Sequence, residues 1–190
     1  MQEDTMDRNS DFYPFIAGER IYLREVRPSD VNENYYRWMN DPEVNKYLES
    51  RYYPNALENL AEYVQDRLRD KSSTFLAIVL KENHRHVGNI KVGPINWIHR
   101  LGDVGVLVGE KDMWGKAYGS EAISLIASYA FNTLNLHKLT AACCDSNIGS
   151  AKSFQKAGFT IEGVQRNHAF CGGRYEDVLL LGLVNPKEVR

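Results

Sequence analysis

The 190-residue sequence holds only three cysteines and six prolines, and no excess of charge of either sign, with 23 Lys and Arg against 25 Asp and Glu. Cys143, Cys144 and Cys171 are odd in number, two of them adjacent, and lack metal-ligand spacing. They read as buried small residues of a reducing compartment. The five histidines show no ligand pattern either, so no metal is expected. A net charge of −2 leaves no footprint for a polyanion, which argues against nucleic acid as the main partner. The N-terminal MQEDTMDRNS is acidic and lacks the apolar stretch of a signal peptide. No apolar run approaches the roughly 20 residues needed to cross a bilayer. These absences point to the cytoplasm and to no membrane partner. No internal repeat, low-complexity segment or linker interrupts the chain. With 43% hydrophobic residues, it suits one soluble domain over residues 19–190, preceded by a loose tail of residues 1–18 from which Phe12, Tyr13 and Phe15 could dock.

What is present is clear periodicity. Residues 20–26 alternate as a first strand. Pro28-Ser29-Asp30 starts a helix with Val31, Tyr35, Trp38 and Met39 on one face, and Asp41-Pro42 ends it. Asn55 and Glu58 predict a capping box for a helix carrying Leu57, Leu60, Ala61, Val64 and Leu68. Residues 75–80 and 87–92 flank a hairpin turn, with Pro94 ending the second strand, and residues 160–170 and 174–183 flank Gly172-Gly173 as another. Between them lies the organising unit, residues 103–159. An apolar run at 104–108 ends at Gly109, the small-residue loop WGKAYGS follows at 114–120, and a helical face from Ala122 to Leu134 leads to a buried strand at 139–144. This is a βαβ unit with a right-handed crossover. Strands before and after a single such unit predict an α/β fold (α+β mixed), with helices on both faces of a mixed sheet of about seven strands.

The loop places free backbone N–H groups at a helix N-terminus, where the dipole favours an anion. Three readings compete for it. One is a tight turn without a ligand. Another is a nucleotide P-loop, weakened because five residues separate Gly109 from Gly115 and Ala117 follows Lys116 where a hydroxyl belongs. The last is a cradle for the pyrophosphate of coenzyme A.

The segments VGNIKVGPINWIH, VGVLVGEKDMWGKAYGSEAI, LNLHKL and DSNIGSAKSFQKAGF favour the last. Together they resemble the GNAT superfamily of N-acyltransferases, in particular the branch that includes the ribosomal-protein-alanine N-acetyltransferases. The resemblance runs from about residue 21 to 184. The family loop reads Q/R-x-x-G-x-G/A. Here Trp114 takes its first position, Ala117 its inner glycine and Gly119 its last.

The resemblance implies a single GNAT-type domain whose mostly antiparallel sheet splays at the βαβ unit, with acetyl-CoA as co-substrate. Loop groups from Gly115 through Lys116, Ala117, Tyr118 and Gly119 to Ser120 would hold the coenzyme, beside Trp114. Pantetheine would pair with the strand edge at Leu107, Val108 and Gly109, where an N–H polarises the thioester carbonyl. By sequence alone Gly109 is a plain strand end. Asn147 and Ser150 would lie beside the pantetheine arm, with Ser150 protonating the leaving thiolate; by sequence alone they are helix caps. Phe154 would also border the coenzyme, at the position where many relatives place a tyrosine, but it cannot donate a proton.

For the base, Asp103 stands where this branch usually carries Glu, and His99 is the alternative. Asp103 read without the family is a solvated strand-end aspartate. His84, His86 and His137 read as surface residues, while His168 borders the acceptor side in relatives. The segment 35–53 holds six aromatic residues in nineteen and would form one wall of the acceptor cleft. Tyr35, Arg37, Trp38 and His168 are its substrate-binding candidates, Tyr35 and Trp38 reading equally well as core. Arg37, Lys46 and Arg51 suit a phosphate or carboxylate. An α-amine of pKa about 7.7–8.0 asks less of a short base than a lysine-like amine near 10.4. The expected acceptor is therefore a small-molecule or peptide amine, a nucleotide-linked amino sugar or a protein N-terminus ahead of a polyamine. The rival function is a non-catalytic acyl-CoA sensor, and a monomer or homodimer is expected.

Overall fold

The structure is a computed structural model and describes residues 13–188. Its eight strands are β1 (Ile16–Ala17), β2 (Ile21–Glu25), β3 (Thr74–Leu80), β4 (His86–Asn96), β5 (Leu101–Val108), β6 (Lys138–Cys144), β7 (Thr160–Cys171) and β8 (Arg174–Val184). They form one sheet in the order β1-β2-β3-β4-β5-β6-β8-β7. Only β5 and β6 run parallel, so the expected mixed, mostly antiparallel sheet is present. The helices are α1 (Glu33–Asn40), α2 (Leu57–Arg69), α3 (Tyr118–Asn132) and α4 (Ile148–Lys156). No described helix is long and apolar enough to cross a membrane.

Burial explains the sequence patterns. β3 reads TFLAIVL without alternation because both sheet faces are covered there. On one face α3 packs Ile123, Ile126 and Ala130 against Ile21, Ile78, Ile90 and Leu139 in the main core. On the other, α1 and α2 bring Tyr35, Trp38, Leu60 and Val64 over Tyr22, Ala77 and Leu107. β7 is an edge strand, exposed along most of its length.

Several expectations are corrected in detail. Residues 16–17, placed in the loose tail, already pair with β2 as β1, while Phe15 docks as expected, edge-on against Tyr129 at 5.1 Å. Residues 1–12, including Phe12, lie outside the described residues. Pro28–Asp30 is a 3-10 turn, and α1 starts later because the Asn32 carboxamide accepts from the Asn34 and Tyr35 amides. Asn55 caps nothing. Its side chain donates to the Met39, Ser50 and Tyr53 carbonyls, and α2 begins behind Ala56 without a side-chain cap. Nor does Pro94 end its strand. It sits at a register shift between Val92 and Ile95, where a missing N–H breaks no ladder bond, and β4 continues to Asn96.

Candidate active site

The parallel pairing of β5 with β6 stops after Leu101↔Lys138, Gly102↔Leu139 and Asp103↔Thr140. Beyond Asp103, β5 continues to Val108 and β6 to Cys144 with no pairing between them, so the sheet opens into a gap. Alternation decides which amides face it. The Gly109 N–H donates to Val87 O at 2.9 Å, so residues in step with Gly109, including Leu107 opposite Asn89, turn their backbone groups to β4. Val106 and Val108 therefore present theirs to the gap. Consistent with this, the Val108 carbonyl accepts from the Trp114 indole at 2.7 Å. Of the expected edge Leu107, Val108 and Gly109, only Val108 faces the gap. The Leu107 side chain joins the Tyr35–Trp38 cluster on α1, and Val106 was missed.

The chain leaves β5 through a 3-10 turn, Lys111–Met113, and enters α3 through two left-handed residues, Gly115 (φ 74°) and Ala117 (φ 64°). Ala117 is the N-cap and offers no side-chain partner, so the first amides of α3 stay open to a ligand. A side-chain carbon at Gly115 would meet nothing within 4 Å, and one at Gly119 only Val108 and Ser153 at 3.6 and 3.8 Å. A groove of about 510 Å³ lies along Gly115, Lys116, Ala117 and Ser120, lined also by Arg20 and Lys156 and by the carboxylates Glu19 and Glu121. Arg20 also stacks on Tyr118 at 4.6 Å and pairs with Glu121 at 2.9 Å. Open amides, small residues and cations in the lining fit the diphosphate of coenzyme A.

At the fork of the gap, Asp103 Oδ2 accepts from Thr140 Oγ1 at 3.0 Å. Asp103 is reached by solvent, yet the walls around it restrict its hydration. Burial raises its pKa above the ordinary carboxylate value, against the Thr140 bond and the Lys91 charge. His99 is on the exposed β4–β5 turn, four residues before Asp103, its backbone N–H bonded to Asn96 Oδ1 at 3.0 Å. The structure does not bring it to the gap.

Asn147 caps α4 by accepting from the Ser150 amide at 3.2 Å, and Ser150 is half-buried. Phe154 is buried in the main core, edge-on to Phe159 at 5.0 Å, which removes it from the coenzyme-facing surface. Tyr35 and Trp38 are likewise core, at 3% and 1% exposure, and Arg37 bonds Glu110. Core packing, one of the two readings of Tyr35 and Trp38, is the one realised. His168 lies exposed on edge strand β7, two strands from β6. His86, expected at the surface, is largely buried: it packs edge-on against Trp38 and bonds Asn89, and burial lowers its pKa.

The 35–53 segment does form a wall. Tyr47 OH bonds Ser146 O at 3.1 Å, and Arg51 and Tyr52 bond Phe170 O at 3.0 and 2.6 Å, so the segment bridges to the far side of the gap. Behind it Cys144 and Cys171, separated by 27 positions, bring their sulfurs within 3.2 Å, a proximity no spacing rule exposes. Burial, with Cys171 alongside, pushes the Cys144 thiol up to about 12, as expected of a poor nucleophile. Glu176 lies close enough for its carboxylate and the two sulfurs to form a set of ligand atoms within 4.8 Å of one another.

The overall fold is shared with known proteins. Residues 20–160 match the acetyltransferase (GNAT) domain family. An uncharacterised N-acetyltransferase, p20, of Bacillus licheniformis is 26% identical over 168 residues, 87% of this chain and 93% of that one. The spermidine N(1)-acetyltransferase of Escherichia coli K12 is 25% identical over 161 residues, 85% and 80% of the two chains. In fold, the chain superimposes on the spermidine N-acetyltransferase of Vibrio cholerae, solved in complex with CoA and spermine, with a TM-score of 0.80 at 22% identity, covering 88% and 97%. The chain belongs to the GNAT acetyltransferase family, acetyl-CoA-dependent N-acyltransferases.

Proposed function

We propose that the gap between β5 and β6 is where a primary amine attacks the thioester of acetyl-CoA directly, with no covalent acyl-enzyme. The observation that carries this reading is the end of β5–β6 pairing at Asp103 and Thr140, which leaves the Val106 and Val108 amides facing the gap beside an uncapped helix start. The loop from Trp114 to Ser120, with Lys116 and Lys156, holds the diphosphate. Val106 and Val108 amides stabilise the carbonyl oxygen as charge develops on it. Asp103 accepts the ammonium proton, the amine nitrogen forms its bond to the carbonyl carbon and releases its second proton to solvent, and the carbon–sulfur bond breaks. Ser150 delivers a proton to the departing thiolate and is replenished from solvent.

For the acceptor, the packing changes the order expected from sequence. Arg37 is bonded to Glu110 and Arg51 to backbone carbonyls, so two of three cations offered to a phosphate are engaged. The Tyr47–Tyr52 bridge narrows that side of the gap. Both observations favour a slender aliphatic amine of the polyamine class over a nucleotide-linked sugar, in line with the spermidine acetyltransferases among the relatives. A protein N-terminus is the second reading, favoured because Asp103 is a short base and suits an amine that deprotonates near neutrality. Thiol release from acetyl-CoA over a panel of spermidine, peptides with free N-termini and amino-sugar nucleotides tests both. Turnover of spermidine is expected to exceed the rest; efficient turnover confined to the sugar nucleotides overturns the choice.

A further inference from the structure

We infer that Trp38, Gly109 and Glu110 form a clamp that fixes where the end of β5 presents its amides to the gap, making them positioning residues for the acyl donor. The inference rests on the reading of the gap above. Glu110 is 6% exposed, an unusual place for a carboxylate one residue beyond Gly109. Its Oε1 accepts from the Trp38 indole at 2.9 Å and from Arg37 at 3.2 Å, and its Oε2 accepts from Arg85. Arg85 reaches on to Asp112 at 2.8 Å, in the turn that follows. Both the Gly109 and Glu110 amides donate to Val87 O, at 2.9 and 3.3 Å. The strand end is thus bonded to β4 and α1, and on the gap side the Val108 carbonyl is taken by the Trp114 indole.

The steric part of the clamp is Gly109. A side-chain carbon built there would fall 2.1 Å from Cδ2 of Trp38, so the indole lies against the strand backbone. Gly109 is not in the left-handed region, so contact with Trp38, not backbone freedom, demands glycine here. Trp38 is itself held by the edge of His86 at 5.1 Å and by Tyr35 at 5.9 Å. The chain therefore leaves β5 on a fixed course from Val108, whose amide faces the gap. Neither Trp38 nor Glu110 reaches that gap, yet both fix the strand that lines it.

The test is a double-mutant cycle read in kcat. In Gly109→Ala the added methyl meets the indole and the strand end shifts, with kcat expected to fall about a hundredfold, the loss that a displacement near 1 Å brings. Adding Trp38→Leu makes room, and kcat is expected to recover about tenfold over Gly109→Ala alone, a non-additivity that neighbouring residues show. Glu110→Gln adds no atom and carries the test whether or not Gly109→Ala folds. It is expected to lower kcat about tenfold with the KM of the amine held within about twofold. Losses that simply multiply in the cycle, or a Glu110→Gln variant that loses melting temperature but keeps kcat, overturn the clamp. Absence of thiol release by the wild type with every amine would refute the functional reading instead. The cycle is then read in coenzyme A affinity by calorimetry, where the same recovery supports the clamp and multiplicative losses overturn it.

Discussion

Asp103 combines two properties a general base needs: solvent reaches it, and crowding makes its charged form less favourable than in water. A raised pKa means that the carboxyl stays protonated, and inactive as a base, to a higher pH than an ordinary aspartate. The acid limb of the kcat/KM profile is therefore expected above the usual value of about 3.9. Thr140 donates to the ionised carboxylate, so Thr140→Val should move that limb further up. Asp103→Asn is expected to lower kcat by about 10²–10⁴ with acetyl-CoA affinity retained. If that profile is unchanged and His99→Ala abolishes the limb, His99 is the base. Ser150→Ala should slow turnover without weakening binding; full activity would leave the thiolate to be protonated by solvent. At this scale the sequence singled out Asp103 but set it at the strand start, whereas β5 begins at Leu101 and pairs Asp103 with Thr140; nor could it separate core aromatics from cleft aromatics. Tyr35, Trp38 and Phe154 recur at spacings that either role satisfies, and only the packing assigns them to the interior.

The element that organises the site is the turn between β5 and α3, and its backbone makes a prediction of its own. Ala117 holds φ 64°, a conformation that costs an L-residue about 1–2 kcal/mol and glycine almost nothing. Part of that gain is offset by the greater freedom of glycine in the unfolded chain, about 0.4–1 kcal/mol. Ala117→Gly should thus raise the melting temperature by about 1–4 °C, while Gly115→Ala, at φ 74° with open space around it, should lower it by a similar amount. Differential scanning calorimetry decides; a stabilised Gly115→Ala would contradict the left-handed turn. The strands, the loop and α3 were legible because apolar period and small residues report local structure directly. The early end of β5–β6 pairing was not legible from periodicity and entered only through resemblance, since both strands stay apolar well past Asp103. Which amides face the gap was hidden as well, because it depends on the register with β4. Asn55 and Pro94 misled for a related reason: a capping residue and a strand breaker act on the partners that tertiary structure gives them.

Across the whole molecule, the same sheet is closed on both faces from β2 to β4, while β6 and β8 bury one face in the main core and β7 is exposed along most of its length. The closed half anchors the β5 end through Trp38 and Glu110, and the other half leaves room for an acceptor. The segment 35–53 joins the two, being core at Trp38 and a bridge to the β6–α4 loop and to β7 at Tyr47 and Tyr52. Its aromatic content was evident in the sequence, but its division of labour was not, because burial of each ring depends on strands more than sixty residues away. The central claim is that an amine entering this gap takes the acetyl group with Asp103 as base. The most direct measurement is stoichiometric thiol release from acetyl-CoA, with and without spermidine, for the wild type and Asp103→Asn. The account predicts amine-dependent release, one acetylated amine for each thiol, strongly reduced in Asp103→Asn while calorimetry still finds acetyl-CoA bound. Equal rates for the two proteins would contradict it.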